Sequence, residues 1–200
     1  MTAGLLGGAF DPPHVGHVAL ARAALSVFEL ERLRVLVVAE PAHKAVPTGV
    51  EERLELARLA FAGLPRTEVV LDPHAYTVET VTDPRFVSGD TVFFVGADEF
   101  ASFLSWREPD RILEHVRLGV ATRPGHSRET LEAVLAALAH PERVDLFEIP
   151  PVDVSSTDVR ARAARGEPLD GLVPGAVARR IAELGLYDRV VDPSGRAKLR

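Results

Sequence analysis

Apolar residues follow two different periods along the chain. Short and nearly continuous apolar runs, such as residues 33–39 and 91–95, are typical of strands that are covered on both faces of a sheet. In the longer segments between them, apolar residues recur every three or four positions, as Val18, Ala21 and Leu25 do, which predicts amphipathic helices. The first predicted strand ends at residues 5–7, and the others span 33–39, 68–71, 91–95, 117–121 and 144–149. The predicted helices span 15–28, 51–62, 77–82, about 97–104, 109–114, 128–139, 157–165 and 175–184.

This alternation of strands and helices predicts an α/β fold, a Rossmann-like doubly wound parallel sheet. In such a sheet, ligands bind beyond the carboxyl ends of the strands. Helices follow without further strands from about residue 152, so we expect a small C-terminal helical subdomain within a single domain of residues 1–188. Residues 189–200 are expected to form a flexible tail.

Composition narrows the class of protein. Of the 200 residues, 46% are hydrophobic and 26% are charged, as in soluble globular proteins. No apolar run approaches the roughly 18 residues that a membrane helix needs, and the first residues lack the basic and apolar regions of a signal peptide. We therefore expect a cytoplasmic protein without a membrane partner.

Charge and cysteine content exclude several kinds of site. The chain has no cysteine, which rules out disulfides, thiolate zinc sites and cysteine nucleophiles. The formal net charge of −6 argues against a nucleic-acid partner, since such a surface needs a basic stripe. Small anions remain suitable ligands, because local dipoles and a few placed cations decide their binding.

The connection after the first strand, residues 7–17, has the sequence GGAFDPPHVGH. Its two leading glycines let the backbone approach a bulky ligand, and the helix that begins near His14 presents N–H groups and a positive dipole end to an anion. His14 and His17 project from one face of the first helical turn, and Gly16 leaves space for a phosphate. Two imidazoles there can donate hydrogen bonds to phosphoryl oxygens. If pyrophosphate were the leaving group of a reaction at this site, they would stabilise the charge that develops on it.

Two other interpretations of this loop stay open at this point. In one, the glycines mark an ordinary turn and the histidines cap a helix. In the other, His14 and His17 bind zinc together with His43 and His74, although no HExxH pattern supports that interpretation. The loop also lacks the GxxxxGK[ST] string, so it is not a P-loop.

The string GGAFDPPHVGH resembles the signature of the HxGH nucleotidylyltransferase superfamily, and its GGxFDPxHxGH form is similar to bacterial nicotinate-nucleotide adenylyltransferases. This resemblance implies AMP transfer from ATP to nicotinate mononucleotide, which yields nicotinate adenine dinucleotide and pyrophosphate. It implies Mg²⁺ as the cofactor, held by phosphates and water. It places ATP against Gly7, Gly8, Ala9, Phe10, His14, Gly16 and His17.

Residues 155–160, SSTDVR, resemble the superfamily's SSTxxR motif. Ser155, Ser156 and Thr157 stand at the start of a predicted helix, where hydroxyls and N–H groups can hold phosphate. Arg160 would present a planar fork to phosphate oxygens. The plainer interpretation is an ordinary helix cap with a solvated arginine.

Two further segments resemble family motifs that follow strands. Residues 40–44 resemble the PPH[KR] loop, with alanine in place of one proline, which implies that Lys44 closes over the triphosphate. Gly96 and Asp98 resemble the GxD motif, and a carboxylate there can accept hydrogen bonds from ribose hydroxyls. A surface lysine and a helix cap are the plainer interpretations. Together, the resemblance implies His14, His17, Lys44 and Arg160 as the catalytic residues.

The acceptor mononucleotide is expected to bind Tyr76, Thr77, Trp106 and Arg107 in addition to Lys44. Trp106 is the only tryptophan, and its indole face suits a pyridine ring, although it would also serve as core filling. The family comparison indicates backbone amides near Thr77 and Arg107 for the nicotinate carboxylate.

Departures from the family pattern leave the acceptor less defined than the ATP site. Residues 71–76 form a shorter segment than in the family, and residues 38–39 lack an asparagine that relatives often carry. Nicotinamide mononucleotide and phosphopantetheine are therefore alternative acceptors. A regulatory nucleotide-binding module and a zinc hydrolase are alternatives from other classes, and the sequence leaves self-association into a homo-oligomer open.

Overall fold

The computed structural model describes residues 2–42, 46–123, 128–191 and 197–199. Six of its strands are β1 (Thr2–Gly8), β2 (Arg32–Val38), β3 (Thr67–Asp72), β4 (Asp90–Gly96), β5 (Arg117–Thr122) and β6 (Val144–Glu148). Its helices are α1 (Val15–Val27), α2 (Val50–Phe61), α3 (Thr77–Thr82), α4 (Ala97–Ala101), α5 (Pro109–His115), α6 (Arg128–Ala137), α7 (Ser156–Ala163) and α8 (Gly175–Leu184), with 3₁₀ turns at Phe103–Ser105 and Pro141–Arg143.

The six strands form one parallel sheet in the order β3-β2-β1-β4-β5-β6. The chain winds outward from β1 through β2 to β3, and then returns to place β4 on the other side of β1. The connections that leave β1 and β4 therefore diverge to opposite faces of the sheet, which opens a crevice at the carboxyl ends of these two strands. The predicted doubly wound α/β fold is confirmed.

Two apolar layers, one on each face of the sheet, explain the nearly continuous apolar runs. Val35 and Leu36 are adjacent in β2 and both fully buried, yet they belong to different clusters because successive side chains point to opposite faces. Helices α1, α2, α7 and α8 cover the Val35 side, and α3, α4, α5 and α6 cover the Leu36 side. None of the helices in the described part of the chain is long and apolar enough to span a membrane.

The structure differs from the sequence-based prediction at residues 97–104, where one helix was expected. Helix α4 ends at Ala101, and the 3₁₀ turn Phe103–Ser105 follows. The hydroxyls of Ser102 and Ser105 donate to the carbonyls of Glu99 and Ser102 at 2.9 and 2.7 Å. These local bonds compete with regular helical hydrogen bonding, which is why serine is poor in helix interiors.

The C-terminal part of the chain includes a strand pair that the apolar pattern did not indicate. Strand β7 (Arg189–Val191) pairs with β8 (Ala197–Leu199) in an antiparallel two-stranded sheet. Three residues are too few for a recognisable period, so sequence reasoning had no signal for either strand. The domain boundary at 188 and a flexible tail over 189–200 stay predictions.

One buried hydrogen bond ties the end of the helical subdomain to the connection between β1 and α1. Tyr187 is fully buried, and its hydroxyl donates to Asp11 Oδ1 at 2.6 Å. Asp11 is itself 2% exposed. Burial, and next the hydrogen bond to Asp11, raise the pKa of Tyr187 well above its usual value.

We expect Tyr187→Phe to lower the free energy of unfolding by about 1.5–3 kcal/mol near pH 7, because Asp11 loses its hydroxyl donor. The contribution of Tyr187 is complete below the unfolded-state pKa of about 10 and is lost as pH rises above it, since the unfolded tyrosine then ionises while the buried one does not. Urea unfolding between pH 7 and 11 should show the two proteins converging at alkaline pH. A difference that stays constant across this range would contradict the assignment.

Candidate active site

The crevice beyond β1 and β4 is a cavity of about 490 Å³, a volume typical of sites for small ligands. Many of the residues that line this cavity are ones that the sequence singled out. The nucleotide-binding candidates that line it are Gly7, Gly8, Ala9, Phe10, His14, Gly16, His17, Gly96, Asp98, Ser155, Ser156 and Thr157, and the acceptor candidates are Tyr76, Thr77, Trp106 and Arg107. A single cavity therefore joins the two halves of the predicted site.

The two histidines of the first loop face the cavity side by side. Their ring centroids are 3.7 Å apart, with an angle of 26° between the ring planes. The backbone N–H of His14 donates to His17 Nδ1 at 3.2 Å, so the neutral His17 ring carries its proton on Nε2 and acts as a donor there. Phe10 packs its ring against His17 edge to face, with centroids 5.0 Å apart.

Close approach of side chains explains two glycines in this loop. A Cβ at Gly16 would lie 3.0 Å from His14 Nδ1, and a Cβ at Gly8 would lie 3.0 Å from the Phe10 ring. Phe10 adopts a left-handed backbone conformation with φ of 49°, which is unusual for a bulky residue and is held here by burial of its ring. A side chain at either glycine would therefore need the ring beside it to shift by a few tenths of an ångström.

Helix α7 is bonded to the first loop through side chains. Ser156 Oγ donates to the Pro12 carbonyl at 2.9 Å, and Arg160 Nη1 donates to the Asp11 carbonyl at 2.6 Å. Ser155 caps the helix, since its Oγ accepts from the Asp158 N–H at 3.1 Å. The SSTxxR segment therefore does two things: it presents a helix N-terminus to the cavity, and it fixes the loop that carries the histidines.

The first turn of α1 offers fewer N–H groups to a ligand than the sequence suggested. The Val15 N–H donates to the Leu172 carbonyl at 2.9 Å, and the His17 N–H donates to the His14 carbonyl at 3.0 Å. The first of these bonds anchors the helix start to the C-terminal subdomain. The N–H groups of this helix terminus are thus largely engaged within the protein.

Arg123 is a cavity residue that sequence reasoning missed. It follows β5, and its Nη2 lies 3.0 Å from Asp98 Oδ2 while its Nη1 donates to the Val152 carbonyl at 2.6 Å. Asp98 lies at the start of α4, and 69% of its side chain stays exposed although it forms this ion pair. Because β5 and β4 are adjacent parallel strands, the residues that follow them lie close together. The position of Arg123 shortly after the predicted strand 117–121 was therefore a signal that it lies near Asp98.

The acceptor candidates that line the cavity lie at the start of α3 and in the segment before α5. The Arg107 guanidinium lies 4.8 Å from the centre of the Tyr76 ring and bonds Glu79 Oε1 at 3.2 Å. Trp106 lines the cavity and also packs against Phe103, with ring centroids 5.3 Å apart. The binding and core-filling interpretations of Trp106 are therefore compatible.

A polar network supports the short segment that leads into Tyr76. The buried Asp72 carboxylate accepts from Thr80 Oγ1 at 2.6 Å and from the His74 N–H at 3.0 Å, and burial raises its pKa. His74 Nε2 lies 3.0 Å from Asp83 Oδ2. The hydrogen bonds from Arg85 and then from His74 hold the pKa of Asp83 well below its usual range.

Metal-ligand geometry is lacking in the described part of the chain, where no group of three or more His, Asp or Glu side chains is placed to hold a metal ion. His74 is engaged by Asp83 rather than gathered with His14 and His17. The fourth suggested zinc ligand, His43, lies outside the described residues, as does Lys44. Arg160 is not among the described residues that line the cavity; it bonds the Asp11 carbonyl of the loop.

Comparison with known proteins agrees with this geometry. A family model described as cytidylyltransferase-like matches residues 5–162. A curated protein of Bordetella avium, named "Probable nicotinate-nucleotide adenylyltransferase", is 38% identical over 196 residues, which cover 92% of this chain and 96% of the relative. A Thermus thermophilus protein of the same name is also 38% identical, and the match covers 94% of this chain and 100% of the relative.

The chain belongs to the nicotinate-nucleotide adenylyltransferase family. Among solved structures, the Plasmodium falciparum nicotinic acid mononucleotide adenylyltransferase complexed with NaAD superposes with a TM-score of 0.72 at 14% identity, and the match covers 93% of this chain and 97% of that one. This likeness shows a shared fold. In this member of the family, the cavity lies at the switch point of that fold, between the ends of β1 and β4.

We expect Arg123→Gln to raise the KM for ATP about tenfold, because Asp98 and the Val152 carbonyl lose the charged donor that positions them along the cavity. Arg117→Gln is the matched control. Arg117 is the first residue of β5, whereas Arg123 follows the end of that strand, and Arg117 pairs with Asp145 and Asp90. Steady-state kinetics with ATP varied should separate the two variants, and equal KM values in both would contradict the role of Arg123.

Proposed function

We propose that this chain transfers the AMP group of ATP to nicotinate mononucleotide, forming nicotinate adenine dinucleotide and pyrophosphate. One observation carries the proposal: a single cavity is lined both by two stacked imidazoles with the α7 N-terminus and by Tyr76, Trp106 and Arg107. Phosphate-binding groups and an aromatic, cationic subsite are what the two substrates require. The family relationship supports the same reaction.

The reaction proposed is direct in-line displacement. An oxygen of the mononucleotide phosphate forms a bond to the α-phosphorus of ATP, while the bond from that phosphorus to the bridging oxygen breaks and pyrophosphate departs with the electron pair. No enzyme nucleophile is needed, since the acceptor is itself a phosphate. The enzyme's contribution is orientation and stabilisation of developing charge.

His14 and His17 are proposed to stabilise the triphosphate as charge moves toward the leaving group. The Nε2 proton of His17 follows from the acceptor role of its Nδ1, and the rigid support from Phe10 limits reorientation of the ring. Lys44 and Arg160 are proposed to assist, Lys44 by closing over the phosphates and Arg160 by fixing the loop through Asp11. Asp98 is proposed to bind ribose hydroxyls.

The acceptor is proposed to stack on Trp106, with its carboxylate near Thr77 and Arg107. The guanidinium of Arg107 lies over Tyr76 and pairs with Glu79 and Glu108, and a pyridine carboxylate is proposed to share its positive charge, which a neutral carboxamide would do less well. This is the physical reason for preferring nicotinate mononucleotide to nicotinamide mononucleotide.

Mg²⁺ is the proposed cofactor. The described side chains at the phosphate end are imidazole and hydroxyl groups rather than a carboxylate cluster, so they suit the oxygens of an anion and leave the cation to the phosphates and water. Bound there, Mg²⁺ would neutralise phosphate charge. The reaction is proposed to take place in the cytoplasm.

We expect pyrophosphate release to be fastest with nicotinate mononucleotide when it, nicotinamide mononucleotide and phosphopantetheine are assayed side by side with ATP and Mg²⁺. A faster reaction with either of the other two would assign a different acceptor. No release with any of the three would favour a regulatory nucleotide-binding module. Loss of activity on zinc chelation that Mg²⁺ does not restore would favour a zinc enzyme.

We expect His17→Ala to lower kcat by about a hundredfold or more while the protein stays folded, because a preorganised donor to the transition state is lost. His140→Ala serves as the control, since His140 is partly exposed, precedes β6 and contacts Glu142 outside the cavity lining. Pyrophosphate release and circular dichroism would be measured on both. Near-normal turnover in His17→Ala would overturn the role given to His17.

A further inference from the structure

Arg53 on α2 is a buried cation whose hydrogen-bond partners are backbone carbonyls. Its side chain is 2% exposed. Nη1 donates to the carbonyls of Ala9 and Val38 at 2.9 and 2.8 Å, Nη2 donates to that of Ala39 at 2.7 Å, and Nε donates to that of Thr48 at 3.1 Å. One side chain thus joins four peptide groups.

Buried arginines are usually paired with a carboxylate. In the described part of the chain no carboxylate oxygen is hydrogen-bonded to Arg53, and the carbonyl dipoles take that place. Burial lowers the pKa of Arg53, and the nearby charge of Asp11 opposes this change. A charge retained in the interior without a direct ion pair is costly for stability alone, which points to a role in the geometry of its four partners.

The four carbonyls belong to three segments that meet beside the cavity. Ala9 lies in the loop after β1, Val38 and Ala39 lie at the end of β2, and Thr48 precedes α2. Ala9 and Val38 both line the cavity. The position of Ala9 also sets that of the next residue, Phe10, whose ring supports the catalytic candidate His17.

We propose that Arg53 is a positioning residue for the transfer reaction. By binding carbonyls of the loop after β1 and of the end of β2, it keeps the distance between these two segments of the cavity lining fixed. The inference rests on the proposed function. Lysine cannot replace it, because an ammonium group has three donors and lacks the planar fork that reaches carbonyls on several segments.

The test compares Arg53→Lys with Arg180→Lys. Arg180 on α8 bonds Glu55 on the opposite side of α2, so both substitutions alter the attachment of α2, but only the first touches the cavity backbone. We expect kcat for AMP transfer to fall at least about tenfold in Arg53→Lys, with a smaller change in the KM for ATP, since displacement of reacting groups by a fraction of an ångström has this effect. Arg180→Lys should stay within about twofold of wild type.

Circular dichroism at the assay temperature separates positioning from unfolding. If Arg53→Lys does not fold, Arg53→Met is used, because its apolar stem fills the space without a buried charge. Wild-type turnover in a folded Arg53 variant would overturn the inference. So would a loss of kcat that matches the unfolded fraction, or an equal loss in Arg180→Lys.

A separate measurement distinguishes failure of this inference from failure of the proposed function. ATP binding, measured by calorimetry without an acceptor, should weaken by about threefold in Arg53→Lys and stay unchanged in Arg180→Lys. If wild type binds ATP but releases no pyrophosphate with nicotinate mononucleotide, the proposed acceptor is wrong while the effect of Arg53 on the nucleotide site is still measured. Equal ATP affinity in wild type and both variants would overturn the inference.

Discussion

The structure depends on how the backbone carbonyls of the loop after β1 are paired. Arg53 binds the Ala9 carbonyl, Arg160 binds that of Asp11, and Ser156 binds that of Pro12. These donors come from α2 and α7, which lie far away in the sequence. This short loop has no regular secondary structure in which its carbonyls could be paired. Its shape is therefore stable only when side chains from other segments donate to these carbonyls.

This pairing has a direct chemical consequence. A site for a triphosphate must keep carbonyl oxygens away from the anion and turn donors toward it. Arg53 and Arg160, neither of which is among the described residues that line the cavity, each bind one carbonyl of this loop, so these two oxygens are already engaged. The same loop then carries His14 and His17 on its cavity side, stacked and supported by Phe10. The hydrogen bonds that stabilise this loop therefore also hold the segment that carries the two histidines proposed to act on the phosphates.

The part of the cavity lined by Tyr76 and Thr77 is supported by side-chain hydrogen bonds within one region of the chain rather than by distant arginines. The short segment before α3 has its own network, in which Asp72 accepts from Thr80 and His74, and Asp83 joins His74 to Arg85. This network shares no residue with the loop of the histidines. Substitutions at one end are therefore expected to act independently of those at the other, except through residues such as Arg53 that join neighbouring segments.

The resemblance to known motifs indicated the cavity residues of the first loop and of α7. Local pattern in the sequence was enough to predict the alternation of strands and helices and the parallel sheet, because periodicity and helix starts involve neighbours along the chain. It had no means of finding the bond from Tyr187 to Asp11 across 176 positions, or that from Arg53 to Ala9 across 44. The motif of Arg160 predicts a phosphate ligand, and it gave no indication of the bond that Arg160 makes to the Asp11 carbonyl in the folded chain. Which buried donor meets which carbonyl is decided only when distant segments pack, since any arginine or tyrosine is chemically able to make such a bond.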